Sequence, residues 1–151
     1  MTHFKTDYAI INAELVVGQI DVATSSFPSD EILHKGGLIV QQGKIQKIFS
    51  DSTEAQNQAQ KLGLEIIDAM GAYLGPGLID MHIHGCGGTD TGQEDLKTAL
   101  ETMSQFLTQR GITSFQPAVF PSVEVMAKAH TALEASPLAA YHVCSIYNEG
   151  P

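Results

Sequence analysis

The sequence predicts an α/β protein in which a small β-rich unit precedes a series of alternating strands and helices. Short apolar stretches separated by turn residues fill residues 1–74, which is typical of a β-rich unit. From residue 75 to residue 151, apolar stretches alternate with amphipathic ones, as in parallel strands joined by helical crossovers. The composition, with 43% hydrophobic and 17% charged residues in 151, is that of a globular domain.

The β-rich unit begins with strands that the alternation of apolar residues predicts. Residues 8–17 (YAIINAELVV) form one strand. Residues 36–49 form a hairpin that turns at QQGK, because Gly43 can adopt a positive φ. Residues 25–31 (SSFPSDE) form a loop between them, since proline and serine interrupt the apolar pattern.

The β-rich unit ends with a helix and one more strand. Residues 53–63 (TEAQNQAQKLG) are predicted as a short polar helix with Ala55, Ala59 and Leu62 on one side. Residues 64–68 (LEIID) are predicted as a strand. The unit is therefore mostly β, with one helix available to cover part of it.

The second half opens with an apolar strand that leads into HIHG. The helix after it is predicted over residues 91–111, where leucine and methionine recur at helical spacing. Thr91 and Glu94 fit a capping box at its start, and Gly111 is suited to its end.

The remaining stretch continues the alternation. Residues 113–119 are predicted as a second strand, and residues 122–136 as a second helix that Ser122 caps and Pro137 ends. Residues 139–147 (AAYHVCSIY) are predicted as a third strand. The order strand, helix, strand, helix, strand predicts parallel strands with right-handed crossovers, in a doubly wound sheet or in the opening of a (β/α)₈ barrel.

The bulk properties exclude several classes of partner. The net charge of −9 argues against nucleic acid and against anionic membranes, and no apolar run approaches the roughly 20 residues of a membrane span. The N-terminus has no basic segment followed by a long apolar core, so a cytoplasmic location is expected. Cys86 and Cys144 are the only cysteines and are expected to be reduced thiols without a zinc-type spacing.

Two histidines at the end of the first parallel strand are the strongest candidates for chemistry. His82 and His84 are two residues apart, so their side chains project from one face of a strand and can chelate a divalent metal. Glu149 follows the third predicted strand at the same edge of the sheet and can complete the site. A turn that merely contains histidines is the alternative. The strand context and the glycines at positions 85, 87 and 88, which leave room for a substrate, favour a metal site.

Other polar residues are weaker candidates. Asp80 lies two residues before the histidine pair and is expected on the same strand face, in a supporting or a structural role. Asp90 is expected near the cap of the first helix. His130 and His142 are expected to be helix-surface and strand-interior residues, and Cys86 to line the pocket without an activating base.

Three segments of the second half carry a resemblance to a known family. The stretches GAYLGPGLIDMHIHGCGGTDT, GITSFQPAVF and NEGP resemble the amidohydrolase superfamily, and within it the N-acetylglucosamine-6-phosphate deacetylases. HxH after PG-x-ID is typical of the superfamily, and HGxGG together with EGP narrows the resemblance to the deacetylases. The chain differs from the family's usual pattern at Ala118, Tyr147 and Asn148, where relatives usually carry threonine, histidine and an aliphatic residue.

The resemblance implies a fold and a metal centre. It implies a metal-dependent hydrolase of the TIM-type (β/α)₈ class, with residues 75–151 supplying three strands and two helices of the barrel. Residues 1–74 would belong to a composite β-sandwich. It also implies one or two divalent ions, zinc in the first place, or iron, manganese or cobalt. Glu149 is then one metal ligand, and His82 with His84 can hold a second ion. The general acid/base aspartate and two further histidines are expected beyond residue 151, so this chain contains no catalytic residue of its own.

The implied function is the removal of the acetyl group from N-acetylglucosamine 6-phosphate in amino sugar catabolism. The partner is then a small amino sugar phosphate, homo-oligomers are expected, and the chain is an N-terminal portion that is inactive alone. Another amidohydrolase, acting on a cyclic amide, a dipeptide or a different N-acetyl amino sugar phosphate, is one alternative. A non-catalytic association module is the other.

Overall fold

The computed structural model describes residues 6–17 and 31–150 of the chain. The chain divides into two compact units, Met1–Pro76 and Gly77–Pro151. Both contain strands and helices, so the predicted α/β class is confirmed. Over the described residues, no helix combines the length and the apolar character that crossing a bilayer requires.

The first unit is built on a five-stranded sheet. Its strands are β1 (Tyr8–Val17), β2 (Glu31–Gln41), β3 (Lys44–Phe49), β4 (Glu65–Asp68) and β5 (Tyr73–Leu74). The order is β3-β2-β1-β4, with β5 also paired to β1; β1–β2 and β2–β3 are antiparallel, and β4 and β5 run parallel to β1. One helix, α1 (Ser52–Lys61), connects β3 to β4. The predicted strands and helix are confirmed, and the loop predicted at residues 25–31 lies outside the described residues except for its last residue.

The turn and the helix of this unit follow from local sequence. Gln42 and Gly43 both have positive φ, 53° and 72°, as a two-residue hairpin turn requires. Ala55 and Ala59 are buried on α1 as predicted, because the helix covers one face of the sheet. The prediction for Leu62 is wrong, since the helix ends before it and its side chain is 45% exposed.

The second unit combines a parallel sheet with three helices. Its strands are β6 (Leu78–Ile83), β7 (Gly85–Cys86), β8 (Thr89–Asp90), β9 (Ile112–Val119) and β10 (Tyr147–Asn148). Its helices are α2 (Leu96–Thr108), α3 (Val123–Glu134) and α4 (Pro137–His142). The three-stranded sheet has the order β10-β9-β6 with both pairings parallel, and β7 and β8 form a separate antiparallel pair. The parallel strands predicted from the sequence are therefore present.

The core of the second unit lies between this sheet and the helices. Phe115 of β9 is fully buried among apolar residues of the three helices. These residues are Leu96, Ala99, Leu100, Met103, Leu107, Ala129, Ala132 and Ala139. The histidines of the candidate site are not part of this core cluster.

The prediction of a third strand over residues 139–147 is wrong for most of its length. The Ser136 side chain accepts a hydrogen bond from the Ala139 N–H at 3.2 Å, and Pro137 occupies the first turn. A serine cap followed by proline favours a helix start, because proline has no N–H to leave unsatisfied there. Val143 forms an isolated parallel bridge with Phe115 of β9, and the chain pairs with β9 as a strand at Tyr147–Asn148.

The predicted capping box is also wrong. Helix α2 begins at Leu96, and the Asp95 carboxylate caps it by accepting the Thr98 N–H at 3.1 Å. The Thr91 hydroxyl instead donates a hydrogen bond to the Ala118 carbonyl at 2.6 Å. This bond links the segment before α2 to β9. The cap of α3 at Ser122 is confirmed.

Candidate metal centre

His82 on β6 and His84, which directly follows that strand, project from one face of the sheet. Ile83 is in register with Pro117, so the flanking His82 and His84 project from the other face. Asp80 is in register with Phe115, whose side chain lies in the helix-side core, and a register shift separates Asp80 from Ile83. The prediction that Asp80 shares the histidine face is therefore wrong, because an irregular stretch of strand interrupts the alternation.

Asp80 contacts the histidine segment through the backbone instead. Its carboxylate accepts a hydrogen bond from the His82 N–H at 3.1 Å. This hydrogen bond spans the irregular stretch of β6 between Asp80 and Ile83, where His82 lies. Asp80 thus contacts the backbone of His82.

Three side chains meet at the C-terminal end of the parallel strands. The Nε2 atoms of His82 and His84 lie 3.2 Å apart. The Glu149 Oε1 atom lies 3.3 Å from His82 Nε2 and 3.1 Å from His84 Nε2. Within the described part of the chain, this is the single group of three side chains of metal-ligating type gathered in this way. The structure thus brings together the three residues that the sequence singled out.

Hydrogen bonds alone do not account for all three sides of this triangle. Each neutral imidazole has one N–H, and its position on Nδ1 or Nε2 is a choice of tautomer. If both Nε2 atoms carry hydrogen, Glu149 accepts two bonds but the two N–H groups face each other. If one carries hydrogen, only one of the three contacts is a full hydrogen bond. The geometry leaves at least one contact between like groups, which a shared cation would relieve.

The size of the triangle fits a shared divalent ion. Zinc binds imidazole nitrogen and carboxylate oxygen at about 2.0–2.2 Å, so two ligands of one ion at tetrahedral or octahedral angles lie about 2.8–3.6 Å apart. The three sides, 3.1 to 3.3 Å, fall within that range. The donor set of two imidazoles and one carboxylate also suits iron, manganese and cobalt.

The carboxylate reaches the site because of strand β10. Tyr147 and Asn148 pair with Ala118 and Val119 of β9, and the Glu149 N–H continues the ladder with a hydrogen bond to the Val119 carbonyl at 3.3 Å. Glu149 therefore leaves the sheet at the level where β6 delivers its histidines. All three side chains remain partly exposed, between 42% and 60%. A small molecule can reach them from solvent.

The glycine-rich segment after the histidines forms a tight hairpin. Gly87 and Gly88 turn between β7 and β8 with positive φ of 67° and 86°, which confirms the predicted sharp turn. A Cβ on Gly85 would collide with the Thr89 carbonyl oxygen and lie 2.6 Å from Asp90 Cα. The Thr91 N–H donates to the His84 carbonyl at 2.8 Å. The hairpin thereby fixes the backbone on which His84 stands.

A cavity of about 780 Å³ opens beside the site. His84 and Glu149 are in its wall, so one end of the cavity is the candidate metal centre. The rest of its wall comes from the segment before α2, the end of β9 and the first half of α3, and includes Gln93, Phe120 and Lys128. This volume lies in the range of pockets that bind small molecules.

The remaining candidates lie outside the triangle. Asp90 is on β8, and its carboxylate accepts the Gly92 N–H at 2.7 Å, so it does not cap α2. His130 is exposed on α3 as predicted and pairs with Glu134 at 3.4 Å. His142 ends α4 instead of lying in a strand, and its Nδ1 is 2.8 Å from the Thr113 carbonyl.

Cys86 does not carry the features of a nucleophile. It is half-buried and packs against the helical core, and it is not part of the cavity wall described above. Burial raises the pKa of its thiol, with Asp80 acting in the same direction and Arg110 in the opposite one. A raised pKa keeps the thiol neutral and unreactive.

Comparisons with known proteins agree with the resemblance in the sequence. No family model matches the chain. N-acetylglucosamine-6-phosphate deacetylase of Bacillus subtilis is 31% identical over 144 residues, 91% of this chain and 34% of that protein. Dihydroorotase of Streptococcus pneumoniae is 43% identical over 61 residues, 40% of this chain and 13% of that protein.

The comparison of structures gives the same result. A solved N-acetylglucosamine-6-phosphate deacetylase of Pasteurella multocida matches 96% of this chain and 34% of its own length, with 26% identity and a TM-score of 0.72. The chain thus spans about a third of the length of the relatives that it matches over most of its residues. The predicted resemblance to these deacetylases is confirmed.

Proposed function

We propose that this chain is the N-terminal portion of an amidohydrolase that removes the acetyl group from N-acetylglucosamine 6-phosphate. The observation that carries the proposal is the triangle of His82, His84 and Glu149, with sides of 3.1 to 3.3 Å. The likeness to deacetylases over 91% and 96% of the chain supports the choice of reaction.

The three side chains would hold one divalent ion, zinc in the first place. When bound, such an ion polarises a carbonyl group and lowers the pKa of water, which is the chemistry that amide hydrolysis needs. Two neutral imidazoles leave the charge of an ion undiminished, whereas Glu149 offsets part of it. His82 lies on β6, and the β7–β8 hairpin holds the backbone of His84 directly after it, so the spacing of the two histidines is set before any ligand arrives.

The cavity wall would orient the substrate. The cavity reaches from His84 and Glu149 to Lys128, so an acetamide at the metal centre leaves the sugar beside α2 and α3. Lys128 is the lysine of this wall, and its Nζ atom lies 3.0 Å from Glu124 Oε1. Further donors for a 6-phosphate are expected from later barrel strands or a neighbouring subunit.

The proposal extends to the fold of the whole enzyme. The parallel strands of the second unit would be the first strands of a (β/α)₈ barrel, and the first unit would be part of a β-sandwich. Leu78, Ile79 and Met81 of β6 are 63%, 63% and 70% exposed, as expected of a strand whose open face is completed by further barrel strands. The general acid/base aspartate and two further histidines would lie on those strands. A cytoplasmic homo-oligomer is part of the same proposal.

A cyclic-amide hydrolase is the second candidate, because the dihydroorotase likeness is 43% over 61 residues. Such enzymes more often carry a metal-bridging lysine where this chain has Glu149. A polypeptide that extends this chain with later barrel strands distinguishes the two. Release of acetate from N-acetylglucosamine 6-phosphate supports the deacetylase, whereas ring opening of dihydroorotate alone favours the second candidate.

Metal affinity of the 151-residue chain tests the site itself. Competition between the chain and a chromophoric chelator for Zn²⁺ is expected to give one tight ion per chain. Alanine at position 82, 84 or 149 is expected to weaken binding at least tenfold, since each removes one of three ligands. His130→Ala is the matched control, because His130 also sits beside a glutamate at 3.4 Å but on the surface of α3. Equal affinity in all five proteins would refute the site.

The absence of turnover in the isolated chain is a separate expectation. The 151-residue chain with Zn²⁺ is expected to release no acetate from N-acetylglucosamine 6-phosphate, because the general acid/base aspartate is expected on later barrel strands. Metal-dependent acetate release by the purified chain would contradict this part of the proposal. The remaining alternative is a non-catalytic association module. Sedimentation of the chain tests it, because a stable assembly without catalysis would support such a module.

A further inference from the structure

We propose that Tyr147 is a positioning residue for the metal centre, because its ring holds the His82 imidazole in the orientation that directs Nε2 at Glu149. This inference rests on the proposed metal site and adds a residue to it. Tyr147 was not among the residues that the sequence singled out as ligands. It stands two residues before Glu149, which is the spacing that places two side chains on one strand face.

The contact between the two rings is direct. The ring centroids of Tyr147 and His82 lie 4.5 Å apart, with an angle of 63° between the planes. The His84 ring lies on His82 in a similar way, at 5.0 Å and 66°. His82 is thus in contact with two rings while its side chain remains 43% exposed. These contacts restrict rotation of an imidazole that solvent would otherwise leave free.

The strand between them makes this contact feasible. Strands β6 and β10 are not neighbours, because β9 lies between them, so their backbones are about 10 Å apart. Tyr147 is in register with Ala118 of β9, and register partners in a parallel pair project from the same face. Ala118 is 1% exposed and has a single methyl group. The short side chain at this position leaves the space in which the rings from β10 and β6 meet.

The expected effect on metal binding follows from the kind of contact. An edge-to-face pair of rings is a modest interaction, and losing it lets the imidazole occupy rotamers that direct Nε2 away from Glu149. Tyr147→Leu is expected to weaken Zn²⁺ binding about 3- to 10-fold. Tyr147→Phe retains the ring and is expected to bind as the unchanged chain does.

The experiment titrates Zn²⁺ and Co²⁺ into the 151-residue chain and its variants. The Co²⁺ absorption bands report ligand geometry, so a displaced His82 is expected to change their position or intensity in Tyr147→Leu but not in Tyr147→Phe. Tyr141→Leu is the matched control. Tyr141 also packs edge-on against a histidine, His142 at 5.1 Å, but belongs to α4. Thermal unfolding without metal shows whether a variant has lost its fold, and His84→Ala shows whether the site is real.

The outcomes separate the two claims. Weakened binding and altered bands in Tyr147→Leu, with Tyr147→Phe and Tyr141→Leu unchanged, support positioning by the ring. If His84→Ala loses the metal while Tyr147→Leu keeps its affinity and bands, positioning is overturned and the metal site stands. If His84→Ala binds as the unchanged chain does, the proposed site fails and the inference fails with it. Equal weakening in Tyr147→Phe would also overturn the role of the ring.

Discussion

Replacing Gly85 by alanine is expected to damage the hairpin that follows the histidines. An added Cβ would collide with the Thr89 carbonyl oxygen and lie 2.6 Å from Asp90 Cα and 2.7 Å from Asp90 Cβ. Ordinary contacts between carbon atoms are about 3.5–4.0 Å, so the strands β7 and β8 must separate by about 1 Å. Two of the three obstacles are backbone atoms, which cannot rotate away.

The magnitude follows by comparison with a second glycine in the same turn. Overpacking in a closely packed site costs about 1–3 kcal/mol, and rigid backbone obstacles put Gly85→Ala near the upper end, about 3 kcal/mol. Gly88 has φ of +86° and nothing within 4 Å of an added Cβ, so Gly88→Ala incurs only backbone strain of about 1 kcal/mol. The variants therefore separate steric collision from backbone strain within one hairpin.

Amide hydrogen exchange is the suitable assay, because the chain has two units and a single unfolding curve averages over both. Peptides that contain residues 85–91 are expected to exchange faster in Gly85→Ala than in Gly88→Ala, including the Thr91 N–H that donates to His84. Zn²⁺ affinity is expected to fall in the same order. Greater loss of protection in Gly88→Ala than in Gly85→Ala would refute the steric argument.

Two further predictions concern helix caps. Hydrogen bonds from the Thr98 hydroxyl and N–H lower the pKa of Asp95 from its ordinary value of 3.8. The ionised carboxylate therefore stabilises the fold at pH values above the unfolded-state pKa. This contribution is lost as the pH falls through the lower pKa of the folded state. The urea midpoints of the unchanged chain and of Asp95→Asn are therefore expected to differ at pH 7 and to converge below pH 3.8. A difference between the two midpoints that stays constant with pH would contradict this. Ser136 caps α4 and donates a hydrogen bond that lowers the pKa of Glu101, so Ser136→Ala is expected to cost about 1 kcal/mol or more in urea unfolding. Ser122→Ala, which removes the cap of α3 alone, is expected to cost less, and the reverse order would contradict the double role of Ser136.

Local signals predicted most of the elements correctly. The alternation in β1, the glycine at the β2–β3 turn and the alanines of α1 each determine their structure within a few residues. The third strand was predicted wrongly because apolar residues after Ser136 and Pro137 fit a strand pattern as well as a helix. The serine–proline pair was the signal for α4, since it supplies a cap and a first helical residue.

The candidate site was more predictable than the elements that carry it. The spacing of His82 and His84 decides their common face whatever the strand bounds. Glu149 meets them although only the last residue of the predicted third strand, Tyr147, lies in β10, because the two residues of β10 suffice to place it beside β9. The position of Asp80 could not be predicted, since the register shift in β6 arises from pairing with a distant strand. The contact of Tyr147 with His82 depends on the same long-range pairing.

Anomalous X-ray diffraction from crystals of the chain soaked in Zn²⁺ tests the metal centre most directly. Data on both sides of the zinc absorption edge locate the ion without reference to any assumed ligand. The account predicts one strong peak about 2.0–2.2 Å from His82 Nε2, His84 Nε2 and a Glu149 carboxylate oxygen. A zinc peak bound elsewhere, with these three side chains free of metal, would contradict it.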